Sequence, residues 1–218
     1  NKLVVATSKE KSDDPLVELL KNRGIEVFRG SLNDVLDRYY KAAIKYNADH
    51  IVRLTGDCPL ADPAIIKRTV EKHLSMGTDY TSNCFPPTYP DGLDVEVVKF
   101  SALEEAWKYA ELPSEREHVM PYIRNRPEIF SSSNVEFEKD LSKHRWTVDE
   151  QEDFLFVEQI YKELYSKNKI FNMNDILEFL DKNPSLNEIN YQIMRNEGAL
   201  KSYKQDKKYL SKKNEYKI

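Results

Sequence analysis

Two aspartates stand where short runs rich in β-branched residues give way to helix-forming sequence. Asp57 follows the segment 50–56, and Asp149 follows the segment 146–148. Ligands of open α/β sheets bind outside the carboxyl ends of the strands, so we expect the two carboxylates to converge at that rim. Carboxylates beside substrate phosphates are typical ligands of Mg²⁺. The spacing therefore predicts that Asp57 and Asp149 form a catalytic Mg²⁺ site.

The residues around Asp57 favour a fixed carboxylate. Gly56 allows the backbone to turn sharply and Pro59 stiffens the exit from the turn. The alternative is that Asp57 only caps a turn or the next helix. Asp149 has the same alternative, because an aspartate before an acidic helix start is a common N-cap. The occurrence of both at one rim favours a shared metal site.

A nucleotide could be bound near the same rim. Arg29 lies between a predicted strand and a predicted helix, where backbone amides and a guanidinium attract phosphate or a base edge. Exposure of Arg29 to solvent is the alternative. We assign nucleotide binding to Arg29 together with Thr55, Gly56 and Asp57.

A second polar group follows an aromatic loop. Asp91, Asp94 and Glu96 surround a predicted strand, and the last two share one face of it. Carboxylates that face a cleft often hold sugar hydroxyls, whereas a solvated strand face is the alternative. Arg116 and His118 lie near the start of a predicted helix, where His118 contacts substrate or is an ordinary interior histidine. We assign all five residues to substrate binding.

The elements that must position these residues alternate regularly. Strands are predicted at 3–8, 25–30 and 50–56, and each is followed by a helical pattern. Ser31 is the predicted N-cap of the second helix, and Pro63 and Gly77 frame the third. This alternation predicts βαβ crossovers and a parallel sheet.

The rest of the chain is less regular. The segment 79–92 is predicted to be a loop, the segment 93–100 a strand, and the last third helical. The fold class is therefore α/β, a mostly parallel mixed sheet with flanking helices and a helical C-terminal extension. We expect one domain over residues 1–198 and a solvated, lysine-rich tail over 199–218.

Composition excludes several kinds of partner. Lys and Arg total 33 against 37 for Asp and Glu, a net charge of -4, which gives no field for nucleic acid or an acidic membrane. Cys58 and Cys84 lie in dissimilar settings, so we expect reduced thiols and a cytoplasmic location. No apolar run approaches the length of a membrane span. Zincin, P-loop, GxSxG and Gly-rich dinucleotide motifs do not occur.

Ordered segments carry a more specific signal. They are VVATS, DDPL, VFRGSLNDVLDRYY, ADHIVRLTGDCPLADP, DGLDVEV, REHVMPYI, RWTVDEQED and RNEG, beginning at residues 4, 13, 27, 48, 91, 116, 145 and 195. Together they resemble the spore-coat polysaccharide cytidylyltransferase family, relatives of acylneuraminate cytidylyltransferases. The resemblance runs to about Gly198. It implies a nucleotide-diphospho-sugar-transferase-like, Rossmann-like fold that uses CTP, and Mg²⁺ at Asp57 and Asp149.

The resemblance also implies an acidic or related sugar as the second substrate, surface-polysaccharide synthesis, and a homodimer. Proteins of this family begin with a strand and a loop that grip the nucleotide, and no such segment precedes Asn1. We therefore expect that the sequence is a portion of a longer polypeptide. Two other functions stay open at this stage: a metal-dependent glycosyltransferase on the same fold, and a non-catalytic sugar-nucleotide-binding scaffold. Glycosyltransferases of that kind usually carry Asp-x-Asp, whereas Cys58 and Pro59 follow Asp57.

Overall fold

The computed structural model describes residues 2–193, 195 and 197–215. The chain folds as two compact units, each assembled from segments that are separated in sequence. Unit 1 comprises residues 1–51, 99–130 and 196–218, and unit 2 comprises residues 52–98 and 131–195.

Strands and helices alternate in the first half, as the sequence predicts, and helices dominate the second half. The strands are β1 Val4–Ser8, β2 Glu26–Gly30, β3 His50–Arg53, β4 Tyr80–Ser82, β5 Glu96–Lys99 and β6 Ser132–Asn134. The α-helices are α1 Asp14–Asn22, α2 Val35–Lys45, α3 Pro63–Met76, α4 Phe100–Tyr109, α5 Pro113–His118, α6 Pro121–Arg124, α7 Gln151–Leu164, α8 Met173–Lys182 and α9 Glu197–Glu215. Short 3-10 helices cover Lys11–Asp13 and Pro184–Glu188. The α/β fold class is confirmed.

Unit 1 contains a parallel pair of strands and a group of helices. β1 and β2 pair in register from Val4 opposite Glu26 to Ser8 opposite Gly30. The predicted N-cap of α2 is wrong by three residues. The carboxylate of Asp34 accepts a hydrogen bond from the Asp37 amide, whereas the Ser31 hydroxyl accepts one from the Asp34 amide.

The lysine-rich C-terminal segment is helical over residues 197–215 and packs on α5 within unit 1. Asp206 is buried and accepts hydrogen bonds from the Ser114 amide at 2.9 Å and the Ser114 hydroxyl at 2.6 Å. Ser202 is also buried on the same face of α9. Composition alone suggests a frayed, solvated C-terminal tail. The structure differs because Ser202 and Asp206, one turn apart on α9, form hydrogen bonds with residues of α5.

Unit 2 contains most of the second sheet, whose strand order is β3-β5-β4-β6. β4 pairs antiparallel with β5 and parallel with β6. The sequence prediction is wrong for Tyr80–Ser82, which lies in the predicted loop but forms β4. All three residues are buried because the strand is paired on both sides.

Helix α3 begins and ends where the sequence predicts. Asp62, the residue before it, also contacts the start of α8. The Asp62 carboxylate accepts hydrogen bonds from the Ala64 amide at 2.7 Å and the Met173 amide at 2.9 Å. Gly77 ends α3 in the left-handed region, with φ +62°. The core of unit 2 includes the fully buried Trp146. Among the described helices, none has the length and apolar character needed to cross a bilayer.

Candidate active site

Asp57 lies in the turn that follows β3. The Cys58 amide donates to the Thr55 carbonyl at 3.3 Å, and the Thr55 hydroxyl lies 3.0 Å from the Cys58 sulfur. The side chain of Asp57 is exposed, while its carbonyl accepts hydrogen bonds from the Val148 amide at 2.8 Å and the Thr147 hydroxyl at 3.1 Å. The backbone of Asp57 is thus fixed to the segment that leads directly to Asp149.

Cys58 is beside Asp57 but has no activated thiol. Burial raises the pKa of Cys58 to about 12, which its hydrogen bond with Thr55 offsets only in part. A thiol with so high a pKa stays protonated and is a poor nucleophile near neutral pH. Cys58 is therefore not a candidate nucleophile, and Asp57 is the exposed ionisable side chain of this turn.

The segment before Asp149 is extended, but it is not the strand that the sequence predicts. Arg145 forms one parallel bridge with Asp91. The Asp91 amide donates to the His144 carbonyl at 2.9 Å, and the Trp146 amide donates to the Asp91 carbonyl at 2.6 Å. These bonds hold Asp91 against the segment that carries Asp149.

Gly92 makes this close approach possible. It has φ +102°, and a Cβ atom at this position would lie 2.5 Å from the Trp146 carbonyl carbon and 2.6 Å from the Thr147 amide nitrogen. Only glycine fits both the backbone conformation and the space. The residue therefore fixes the distance between Asp91 and the Arg145 segment.

Arg145 connects three aspartates. Its Nε and Nη2 donate to the two carboxylate oxygens of Asp153 at 2.8 and 2.7 Å, and Nη2 also donates to Asp149 Oδ2 at 2.8 Å. Its Nη1 lies 3.6 Å from Asp91 Oδ2. Burial lowers the pKa of Arg145, but the bonds and charges of Asp153 and Asp149 outweigh it and raise that pKa overall. The guanidinium is therefore permanently charged.

Asp153 is the buried partner that holds Arg145 and the backbone of Asp149 in place. Its side chain is fully buried, and it accepts hydrogen bonds from the amides of Asp149 and Glu150 and from the Asn190 side chain, in addition to those of Arg145. Burial raises the pKa of Asp153, but the hydrogen bonds from Arg145 and Asn190 lower it overall. Asp153 is therefore ionised at neutral pH.

Arg195 plays a similar part for a second pair of carboxylates. Its Nε lies 3.4 Å from Asp91 Oδ1, and its Nη2 donates to Asp94 Oδ1 at 2.9 Å. Burial raises the pKa of Asp91, and the charges of Asp149 and Asp57 add to this effect against the opposing arginines. Burial also raises the pKa of Asp94 to about 6. We call Asp57, Asp91, Asp94 and Asp149 the carboxylate cluster.

The cluster has the donor chemistry that Mg²⁺ requires, although it is not a complete cage. Asp57 is exposed and the Asp149 side chain is 52% exposed, so both present hard oxygen atoms to an incoming ligand. Within the part of the chain that the structure describes, no group of three or more His, Cys, Asp or Glu side chains is arranged to hold a metal. Mg²⁺ is commonly held by one or two carboxylates together with substrate phosphates, and these two residues fit that pattern.

Glu96 lies in unit 2 but is engaged within the sheet. Its Oε1 accepts a hydrogen bond from the Tyr80 hydroxyl at 2.6 Å, and its Oε2 accepts one from Arg53 at 2.5 Å. Glu96 is only 5% exposed. This position differs from the solvated strand face that the sequence allows, and a contact between Glu96 and a sugar stays a prediction.

Arg29 lies in unit 1, where its three nitrogens contact the chain itself. Nε donates to the Ser8 carbonyl at 2.8 Å, Nη2 to the Glu10 carbonyl at 2.8 Å, and Nη1 to Asp14 Oδ1 at 2.6 Å. These bonds close the turn between β1 and α1. Nucleotide binding by Arg29 stays a prediction.

Arg116 and His118 also lie in unit 1. Arg116 donates to both carboxylate oxygens of Asp34 and, at 2.8 Å, to the Trp107 carbonyl, so it joins three helices. His118 Nε2 lies 3.0 Å from the Ser202 hydroxyl of α9. These contacts have a structural purpose, and substrate binding by either residue stays a prediction.

Sequence reasoning did not single out Arg145, Asp153 or Arg195. The spacing of Arg145, Asp149 and Asp153 offers a signal, because Asp153 is three residues after the N-cap Glu150, where an acidic side chain bonds back to the cap. Arg195 offers no local signal, since Asp94 lies 101 residues away in the chain.

Comparisons with known proteins give the family. The sequence matches the family model described as Cytidylyltransferase over residues 1–215. It is 40% identical over 207 residues to an uncharacterised protein of Methanocaldococcus jannaschii, covering 93% of this chain and 80% of that protein. It is 31% identical over 185 residues to the spore coat polysaccharide biosynthesis protein SpsF of Bacillus subtilis, covering 84% and 75%.

A solved structure supports the same conclusion. The fold is similar to that of a cytidylyltransferase from Leptospira borgpetersenii serovar Hardjo-bovis, with a TM-score of 0.81 and 39% identity over 88% of this chain and 80% of that one. The likeness extends over most of both chains, and the sequence identity agrees with it. The chain belongs to the cytidylyltransferase family.

Proposed function

We propose that this protein transfers CMP from CTP to an acidic or related sugar and releases pyrophosphate, as a step in surface-polysaccharide synthesis such as that of the spore coat. Membership of the cytidylyltransferase family and the likeness to SpsF support the reaction class and its setting. The observation that carries the assignment of the site is the backbone link between Asp57 and the segment of Asp149. It joins the backbone of Asp57 to the residue that precedes Asp149 in the chain.

In the proposed reaction a sugar oxygen attacks the α-phosphorus of CTP in line, and the bond to the pyrophosphate oxygen breaks. Asp57 and Asp149 would hold a Mg²⁺ ion, which when bound offsets charge on the phosphoryl oxygens. The chain itself supplies orientation. Arg145 and Asp153 fix Asp149, and the Val148 amide fixes the backbone of Asp57.

Substitution of the two aspartates tests this proposal. We expect Asp57→Ala and Asp149→Ala each to lower pyrophosphate release from CTP by well over the roughly tenfold loss typical of outer ligand contacts. The matched control is Asp181→Ala, which removes an exposed carboxylate of α8 in the same unit. Turnover close to that of the unsubstituted protein in either Asp57→Ala or Asp149→Ala would contradict the proposed site.

The assay also separates the two rival functions. Calorimetry with CTP and Mg²⁺ that shows binding without any pyrophosphate release, across a panel of acidic sugars, would support a non-catalytic scaffold. Transfer of a sugar from a sugar nucleotide, without use of CTP, would support a glycosyltransferase. Either result would overturn CMP transfer.

Two further parts of the proposal concern the whole protein. We propose that it acts as a homodimer in the cytoplasm, which the family resemblance and the two free thiols support. Light scattering of the purified protein measures the oligomeric state. A monomer at concentrations that sustain full activity would contradict the dimer.

A further inference from the structure

We infer that Arg145 is a positioning residue for the proposed transfer, which orients the carboxylate of Asp149 toward the ligand through a rigid base formed by Asp153 and Asn190. The inference rests on the proposed function, since it assigns a role within the same site. It concerns residues that touch Asp149 and do not themselves touch substrate.

The geometry ties Asp149 at two points to one buried ion pair. Arg145 Nη2 donates to Asp149 Oδ2 at 2.8 Å, and Asp153 Oδ2 accepts from the Asp149 amide at 3.1 Å. Arg145 is 8% exposed and Asp153 is 0% exposed at their side chains, whereas Asp149 is 52% exposed. One side of the Asp149 carboxylate is therefore fixed to the interior, and the rest remains open to solvent and ligand.

The base under Asp149 is itself fixed. The Asn190 side chain donates to Asp153 Oδ1 and to the Arg145 carbonyl, both at 2.9 Å, and Asn190 is buried. Every oxygen of Asp153 thus has at least two donors. A network in which each buried polar group is satisfied holds a single arrangement, while a partly satisfied one does not.

A guanidinium is the group that this arrangement needs. Arg145 presents a planar fork to both oxygens of Asp153 and uses the same edge for Asp149, with Nη1 facing Asp91 at 3.6 Å. A lysine ammonium keeps the charge but is a single point that cannot bridge these carboxylates together. An ion pair that served stability alone would need only Arg145 and Asp153. The additional contacts with Asp149 and Asp91 point to positioning.

The test compares Mn²⁺ binding and turnover in Arg145→Lys, Asp149→Ala and the double variant, all in the full chain. Mn²⁺ binding is measured by electron paramagnetic resonance in the presence of CTP and without acceptor. We expect Arg145→Lys to weaken Mn²⁺ binding by about 10- to 100-fold, the usual cost of losing an outer contact to a metal ligand. We also expect kcat to fall more than the KM for CTP rises, and the effect of Arg145→Lys on binding to disappear in the Asp149→Ala background.

Asp62→Asn is the matched control. Asp62 is a buried aspartate of the same unit that accepts two backbone amides, like Asp153, but it lies under α3 and α8 instead of Asp149. We expect this variant to lose thermal stability and to keep its Mn²⁺ affinity within about twofold. If Arg145→Lys does not fold, Asn190→Ala removes one support of Asp153 and should weaken Mn²⁺ binding in the same direction by a few-fold.

The outcomes separate this inference from the proposed function. The positioning role is overturned if Arg145→Lys leaves Mn²⁺ binding unchanged while Asp149→Ala weakens it. The same holds for Asn190→Ala where that variant replaces Arg145→Lys. An equal loss from Arg145→Lys in both backgrounds also overturns it, because it would show a purely structural effect. Absence of Mn²⁺ and CTP binding in the unsubstituted protein overturns the proposed function and the inference with it.

Discussion

The fit of Gly92 against the Trp146 backbone predicts that Gly92→Ala damages both stability and the site. A Cβ atom would meet the Trp146 carbonyl carbon at 2.5 Å, whereas carbon atoms normally approach to about 3.5 Å or more. The two segments must therefore separate by roughly 1 Å. Such a displacement would weaken the bond from the Trp146 amide to the Asp91 carbonyl and the bond from the Asp91 amide to His144.

The magnitude follows from three contributions. A side chain in the left-handed region costs about 1–2 kcal/mol. Loss of the two backbone hydrogen bonds costs about 1 kcal/mol each. Together they predict that Gly92→Ala lowers the free energy of unfolding by about 3–4 kcal/mol, with a further unfavourable contribution from overpacking. A misplacement of about 1 Å can lower the rate of the catalysed step by about 100-fold.

The control for this prediction is Gly77→Ala in the same unit. Gly77 also has a positive φ, +62°, but a Cβ atom there meets nothing within 4 Å. This variant therefore isolates the conformational cost, which we expect to be about 1 kcal/mol, and it should keep full activity. Stability is measured by urea unfolding, monitored by tryptophan fluorescence. Activity is measured as pyrophosphate release. Equal destabilisation by the two substitutions would refute the argument from close approach.

Two further substitutions test the electrostatics and the docking of the C-terminal helix. Burial raises the pKa of Asp94 to about 6 from 3.8, so the native state binds this proton more tightly than the unfolded chain and loses stability as pH rises between about 4 and 6. Asp94→Asn should therefore gain stability relative to the parent as pH rises from about 4 to about 6, and keep that gain at higher pH. The gain should be less than the 3 kcal/mol or so that the full shift allows, because the side chain is 32% exposed. A difference independent of pH in urea unfolding would contradict this. Asp206→Ala should lower the free energy of unfolding by about 1–3 kcal/mol, since it leaves the buried Ser114 amide and hydroxyl without an acceptor. The control Lys204→Ala, on the exposed face of α9, should have little effect. Thermal unfolding measures both variants, and equal unfolding midpoints would contradict the docking of α9.

The parts of the fold that sequence could predict are those whose signals are local. Pro63 and Gly77 frame α3, and the structure places Pro63 at the first position of the helix and Gly77 at its C-cap, as expected. Ser31 and Asp34 compete as caps of α2, and sequence cannot decide between two good cap residues three positions apart. β4 was not predicted because its strand conformation depends on pairing with β5 and β6. The residues that follow it in sequence are turn formers, which predict a loop.

The same distinction applies to the candidate site. The rule that ligands gather at strand ends was sufficient to place Asp57 beside the segment of Asp149, although only a single bridge, not a strand, precedes Asp149. The residues that Arg145 and Arg195 contact could not be predicted, because a guanidinium identifies its carboxylates only after the chain has folded. Arg29 illustrates the converse, since its position between a strand and a helix suggests a phosphate, and its nitrogens contact the turn itself.

The charges of the site favour joint binding of nucleotide and cation. Four acidic side chains, those of Asp91, Asp94, Asp149 and Asp153, lie around the two guanidinium groups of Arg145 and Arg195. Burial is the main reason that the pKa of Asp91 is raised, while Arg195 and Arg145 lower it and Asp149 and Asp57 raise it. The four carboxylates nevertheless outnumber the two guanidinium groups, so the formal charge of the group is negative. A triphosphate that approached this group alone would be repelled. In the proposed reaction, a divalent cation held by the exposed carboxylates of Asp57 and Asp149 would turn that repulsion into attraction.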